Sequence, residues 1–114
     1  MHMQVVTFDG PREPALVEAS RRAGRERIQP IVDSDPRLHE GVLCTVRATT
    51  PEGAEVVVTL ARDASVVSAV EQAIMSSQLL PGEDPSLLTG PSRVERYEVT
   101  DVYGRLADAF EVES

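Results

Sequence analysis

The stretch GVLCTVRATTPEGAEVVVTL, residues 41–60, decides the fold. Two runs rich in Val and Thr flank TPEG (50–53), and Pro and Gly so placed are typical of a tight turn. Two such runs joined by a short turn predict a β-hairpin, with strands over 41–49 and 54–60. Side chains alternate between the two faces of a strand. In the first strand this alternation groups Val42, Cys44, Val46 and Ala48 on one face and Leu43, Thr45, Arg47 and Thr49 on the other.

Segments on both sides of the hairpin supply two helices and two more strands. The order β-α-β-β-α-β predicts an α+β class and a ferredoxin-like fold, an antiparallel four-stranded sheet with both helices on one face. We expect one domain over 1–103 and an acidic C-terminal tail over 104–114. The Pro- and Leu-rich connection over 78–91 is long for a compact domain and is typical of a lid or binding loop. The flanking elements are strands over 3–8 and 93–102, and helices over 13–32 and 64–77, the second capped by Asp63 or Ser65.

Composition and charge exclude several classes of protein. The 114 residues are 41% hydrophobic, too apolar for a disordered chain. No run approaches the roughly 18 apolar residues of a membrane span, and the start of the chain does not resemble a signal peptide. The net charge is −8, of which residues 63–114 carry −7, whereas a nucleic-acid partner requires a basic surface. We therefore expect a cytoplasmic protein with neither a membrane nor a nucleic acid as partner.

Both faces of the predicted sheet carry apolar side chains. Val5 and Val6 are adjacent in the first strand, and Val56, Val57 and Val58 follow one another in the third. An antiparallel sheet with one solvated face shows a clean alternation of apolar and polar residues instead. We therefore expect a second copy of the chain to cover the face that has no helices, in a homodimer.

Four short segments carry a family resemblance: VVTFDG (5–10), IQPIV (28–32), DPRLHEG (35–41) and VTLARD (58–63). They resemble the dimeric α/β-barrel superfamily, in particular proteins similar to the antibiotic-biosynthesis monooxygenases (ABM-like proteins). DPRLHEG looks like the family's Pro-Gly-Phe-x-Gly junction, and VTLARD looks like the exit of its third strand. The resemblance implies a barrel formed by two facing sheets, with a small pocket between the sheet and the helices of each protomer. It also implies cofactor-independent oxygenation as a possible activity.

The functional residues of the haem-degrading members of this superfamily do not carry over. Those proteins use an Asn on the first strand, a Trp at the exit of the third strand and a His on the second helix. This chain contains no Asn and no Trp, Ala61 stands near the Trp position, and no His lies within 63–77. We therefore expect no haem. No spacing of His, Cys and carboxylates resembles a metal site, so neither a cofactor nor a metal is predicted.

Ser20 and Arg27 fall inside the apolar stripe of the first helix. A buried guanidinium must be paired or must line a polar cavity. One interpretation is that Arg27, with Ser20 beside it, binds an anionic or carbonyl oxygen of a ligand in the pocket. The other is that Arg27 reaches solvent or pairs with an internal Asp or Glu. The stripe itself consists of Leu16, Val17, Gly24, Ile28 and Ile31.

His39 and Tyr97 are the candidates for a catalytic base. His39 lies at the entry to the second strand, where a lone His is usually a surface residue. Tyr97 can point its phenol into the pocket or the interface, although a buried Tyr usually has a structural hydrogen-bond partner. Cys44 is the single cysteine, which excludes an intramolecular disulfide, and we interpret it as a small apolar core residue.

Three functions are compatible with these features. The first is a dimeric α/β-barrel protein that binds a small hydrophobic or aromatic metabolite between the sheet and the helices. The second is a cofactor-independent monooxygenase of the antibiotic-biosynthesis type, acting on an aromatic or polyketide-like substrate. The third is a protein-interaction dimer whose acidic half docks onto a basic partner. The sequence alone leaves open whether the chain is an enzyme.

Overall fold

A four-stranded antiparallel sheet organises the chain, of which a computed structural model describes residues 1–109. The predicted α+β class and antiparallel sheet are confirmed. The strands lie in the order β2-β3-β1-β4, which is compatible with a ferredoxin-like fold. Of the predicted acidic tail, residues 110–114 lie outside the described part of the chain. The strands are β1 (His2–Phe8), β2 (Val42–Thr49), β3 (Glu55–Ala61) and β4 (Arg93–Glu98).

Helices follow β1 and β3, and aspartates set two of their starts. The Asp35 carboxylate accepts a hydrogen bond from the N–H of Arg37, and Asp63 accepts one from the N–H of Val66. Asp63 is therefore the cap, one of the two predicted. None of the helices within residues 1–109 has both the length and the hydrophobicity of a membrane span. The helices are α1 (Pro14–Arg22), which continues through a π-helical turn (Ala23–Ile28) into α2 (Gln29–Ser34), then α3 (Pro36–Gly41) and α4 (Ala64–Met75).

The π-helical turn lies directly before a proline. In this turn the N–H of Gln29 donates to the carbonyl of Gly24, five residues earlier. Pro30 follows, and it has no N–H. In a regular α-helix its ring would also clash with the carbonyl of Glu26, four residues earlier. The wider turn accommodates both effects. Single π turns of this kind are frequent at functional sites, where they reorient the side chains that follow.

A register shift in β2 corrects the predicted alternation of that strand. Val42 pairs with Ala61, whereas Cys44, two residues later, pairs with Leu60, the residue next to Ala61 in β3. Val42 and Cys44 therefore lie on opposite faces of the sheet, not on the same face, because an irregularity of this kind shifts the phase of a strand by one residue. Val42 consequently packs beneath the helices, against the buried cluster of Ala61, Val66 and Val67.

β4 is shorter than the predicted strand over 93–102. It pairs with β1, where Glu98 lies opposite His2. Only one more hydrogen bond, from the N–H of Val99 to the carbonyl of Met1, continues the ladder. The strand ends where its partner ends. All of its residues are exposed, and four of the six are charged, which discourages further strands from pairing with this edge.

The two faces of the sheet differ in their cover. α4 packs against β1 and β3 on one face. The opposite face, here called the open face, has no helix over it within residues 1–109. Val46 and Tyr97, on the open face, are 51% and 45% exposed. Apolar side chains thus occur on both faces, as the sequence predicts. The apolar residues of the open face are Met3, Val5, Cys44, Val46, Ala48, Val56, Val58, Leu60 and Tyr97.

Candidate functional site

A cavity of about 330 Å³ lies between the sheet and the helices. That volume lies within the range of small-molecule sites. The walls come from the π-helical turn, α2 and α4, and the connection that precedes β4 lies over it. The floor is formed by Gln4, Val6, Phe8, Thr45, Arg47, Val57 and Thr59. The walls and cover include Ala23, Gly24, Ile28, Val32, Val70, Ile74, Leu87, Leu88, Thr89 and Pro91.

A buried carboxylate gathers polar side chains beside this cavity. Glu55, at the start of β3, has a side chain only 1% exposed. Its Oε1 accepts hydrogen bonds from Arg47 Nη1 at 2.6 Å and from Ser20 Oγ at 3.2 Å. Its Oε2 lies 3.5 Å from Arg12 Nη2. We call these four residues the Glu55 cluster. It ties α1 and the loop before it to the β2–β3 hairpin.

Glycines make room for both arginines of the Glu55 cluster. A Cβ on Gly24, in the π-helical turn, would lie 2.8 Å from Arg47 Cζ and would also overlap Nη2. Only glycine lets the guanidinium of Arg47 pass this close to the helix. Arg12 is held by its Nε, which donates to the carbonyl of Gly53 at 2.6 Å. Gly53 has φ +92°, a conformation that glycine adopts at little cost.

Two atoms of the Glu55 cluster are buried without a hydrogen-bond partner. They are Arg12 Nη2 and Glu55 Oε2, which face each other as an ion pair at a distance too long for a hydrogen bond. Leaving such a group unsatisfied costs about 1–3 kcal/mol. Unsatisfied buried groups in native structures are rare and often mark a functional position.

A second polar group fixes the long connection before β4. Arg27 Nε donates to Glu83 Oε2 at 3.0 Å, and its Nη1 donates to Ser77 Oγ at 2.8 Å. The same Glu83 oxygen accepts the N–H of Leu80. The side chains of Arg27 and Glu83 are 11% and 2% exposed. We call Arg27, Ser77 and Glu83 the loop cluster. It holds the connection across the helices, and Leu87, Leu88, Thr89 and Pro91 of that connection line the cavity.

The structure brings Ser20 and Arg27 to the cavity, as the helical stripe predicts. Both residues line it. Arg27 nevertheless pairs with Glu83, and Ser20 donates to Glu55. Internal pairing is the second of the two interpretations of Arg27 given above. A role for Ser20 and Arg27 in ligand binding stays a prediction.

Neither candidate for a catalytic base lines the cavity. His39 lies on α3 with a side chain 70% exposed, and its Nδ1 is 3.9 Å from Asp33. Tyr97 lies on the open face, where its hydroxyl donates to Glu95 at 2.9 Å. That hydrogen bond raises the pKa of Tyr97 above its usual value, so the phenol stays protonated. An oxygenase reaction in this cavity would have to use other residues.

Sequence reasoning missed Arg12, Arg47 and Glu55. One signal was available for two of them. Alternation from the core residue Ala61 places Glu55 on the inward face of β3, and Arg47 shares the inward phase of β2 with Thr45. Charged residues at inward strand positions require partners. Arg12 gave no such signal, because it lies in an irregular loop.

Neither metal-ligating residues nor similarity to known proteins identifies the ligand of this site. Within residues 1–109 no group of three or more His, Cys, Asp and Glu is placed to hold a metal ion. No protein-family model matches the chain, and no curated protein is significantly similar to it. The kinship with the dimeric α/β-barrel superfamily therefore stays a prediction.

Proposed function

We propose that the protein binds a small, mainly apolar or aromatic molecule in the cavity between sheet and helices. The observation that carries this proposal is a mainly apolar cavity of about 330 Å³ whose floor and walls also carry polar side chains, the usual composition of a small-molecule site. This is the volume of about eleven water molecules at roughly 30 Å³ each. The carbon atoms of a fused ring pack more closely than water molecules, so a two-ring aromatic compound with one polar substituent fits within it.

A neutral two-ring probe, 2-naphthamide, tests the proposal by isothermal titration calorimetry and by thermal shift. We expect saturable binding and a rise in Tm, because a ligand that binds only the folded state stabilises it. Thr45→Phe places a large side chain on the cavity floor and should abolish binding. Thr49→Phe, four residues along the same strand and outside the cavity lining, is the matched control. Equal binding by both variants would refute the proposal.

We also propose that two copies of the chain pack through their open faces, as the dimeric barrel implies. Support comes from the apolar residues exposed there. Four strands about 4.8 Å apart and about seven residues long present a face of roughly 400 Å² in projection, and relief of the side chains adds to the contact area. A standard interface buries about 800 Å² on each partner.

Two matched valines test the dimer. Val46 on the open face and Val94 on the helix-covered face are 51% and 49% exposed. Native mass spectrometry should give twice 12.4 kDa for the unmodified protein. Val46→Glu should give a monomer, because it buries a charge within a self-complementary contact. Val94→Glu should leave the dimer intact. A monomeric unmodified protein would rule out this assembly.

A further inference from the structure

The charges of the Glu55 cluster do not balance. Two guanidinium groups, Arg12 and Arg47, share the single carboxylate of Glu55. The Arg12 and Glu55 side chains are 8% and 1% exposed, so solvent screens this pair poorly. One positive charge is therefore left over at the margin of a mainly apolar cavity. Such a charge is costly to bury unless an anion accompanies it.

Hydrogen-bond donors are also left over. Arg47 gives Nη1 to Glu55, while among the described residues no acceptor contacts its Nη2 or Nε. Arg12 gives Nε to Gly53, and its Nη2 has no hydrogen-bond acceptor. Both arginines line the cavity, and the Arg47 side chain is 30% exposed. Arg27 lacks this surplus, because Glu83 neutralises it.

We propose that Arg12 and Arg47 bind the carboxylate of the ligand, so that the cavity takes a small aromatic or aliphatic monocarboxylate. This inference rests on the proposed function. One surplus positive charge matches one negative charge, and a guanidinium fork matches the two oxygens of a carboxylate. The apolar side chains of the floor, including Val6 and Val57, hold the rest of the molecule. Ser20 and Glu55 act as positioning residues that fix the two guanidinium groups.

A near-isosteric pair of probes tests the charge directly. 2-Naphthoate and 2-naphthamide differ in the carboxylate and hardly in shape. In calorimetric titrations at neutral pH, we expect the carboxylate to bind at least about tenfold more tightly, as is usual for hydrogen bonds to a charged group. Equal affinities would refute the carboxylate site and leave the proposed function standing. Failure of both probes to bind would refute both.

Three variants assign the effect to the Glu55 cluster. Arg47→Gln should reduce the preference for 2-naphthoate to within about twofold. Arg25→Gln removes the same charge from an exposed position of the π-helical turn and should keep the preference. Glu55→Gln should tighten 2-naphthoate several-fold, because it frees a second positive charge while its amide oxygen can still accept from Arg47. If Arg47→Gln does not fold, Glu55→Gln alone tests whether the Glu55 cluster binds the carboxylate. Weaker binding of 2-naphthoate by a folded Glu55→Gln variant would overturn the assignment.

Discussion

Replacing Gly24 by Ala tests the close approach of the Arg47 guanidinium to the helix, on which the Glu55 cluster depends. In an ordinary helix this change stabilises, by about 1 kcal/mol, because Gly is the poorer helix former. Here the new Cβ would meet the guanidinium of Arg47, with Cζ at 2.8 Å. Arg47 lies on an edge strand and can swing outward, but it then loses the 2.6 Å hydrogen bond to Glu55. A hydrogen bond to a charged group contributes about 1.5–3 kcal/mol. The expected net effect is a destabilisation of about 0.5–2 kcal/mol.

Urea unfolding followed by circular dichroism measures this effect, and a double-mutant cycle assigns it. In an Arg47→Ala background no guanidinium lies against the helix, so Gly24→Ala should stabilise by about 0.5–1 kcal/mol. The coupling between the two positions is then about 2 kcal/mol. Gly90→Ala is the control, because no atom lies within 4 Å of a Cβ at Gly90. If Gly24→Ala stabilises the unmodified protein as well, Arg47 does not occupy this position, and the reasoning fails.

Three further changes have defined outcomes. Glu55→Ala leaves Arg12 buried without its counter-charge and should lower the free energy of unfolding by about 3 kcal/mol in urea; a loss below about 1 kcal/mol would mean that the cluster is solvated. Arg27→Ala should release the connection before β4, seen as hydrogen exchange of the Leu80 amide faster by at least about tenfold, whereas Arg21→Ala on the same helix should not change it. Asp63 has a pKa below its usual value because Ser65 and the N–H of Val66 donate to it. Its stabilising effect is therefore present above the unfolded pKa of 3.8 and is lost as the pH falls through the lower folded value. Asp63→Asn keeps the cap without the charge. Between about pH 6 and pH 3, the free energy of unfolding of this variant should therefore depend less on pH than that of the unmodified protein. Identical dependences of the two free energies on pH would contradict the lowered pKa of Asp63.

The sequence was most informative where the signal is local. Two Val- and Thr-rich runs joined by a Pro/Gly turn predicted the hairpin, and the valines that occupy both faces of the sheet were visible in adjacent positions such as Val5 and Val6. Helical periodicity placed Ser20 and Arg27 on the apolar stripe, and both line the cavity. These features depend only on the period of a regular backbone, 3.6 residues in a helix and two in a strand.

The features that define the cavity depend on contacts between distant segments. The irregularity in β2 moves Val42 to the helix-covered face, and nothing in the local sequence marks it. The π-helical turn before Pro30 presents Gly24 to Arg47, a residue far along the chain that approaches only once the hairpin has folded. Glu55 likewise contacts Arg12 and Ser20, which are distant in the sequence, only in the folded protein.

The sequence by itself therefore determined the four strands, the two long helices, their order and the side of the first helix that turns inward. The tertiary structure alone decided which charges meet, and hence where the cavity keeps an unmatched positive charge. The physical reason is that periodicity is encoded within a few neighbouring residues, whereas an ion pair requires a register and a helix position that are set by packing of the whole sheet.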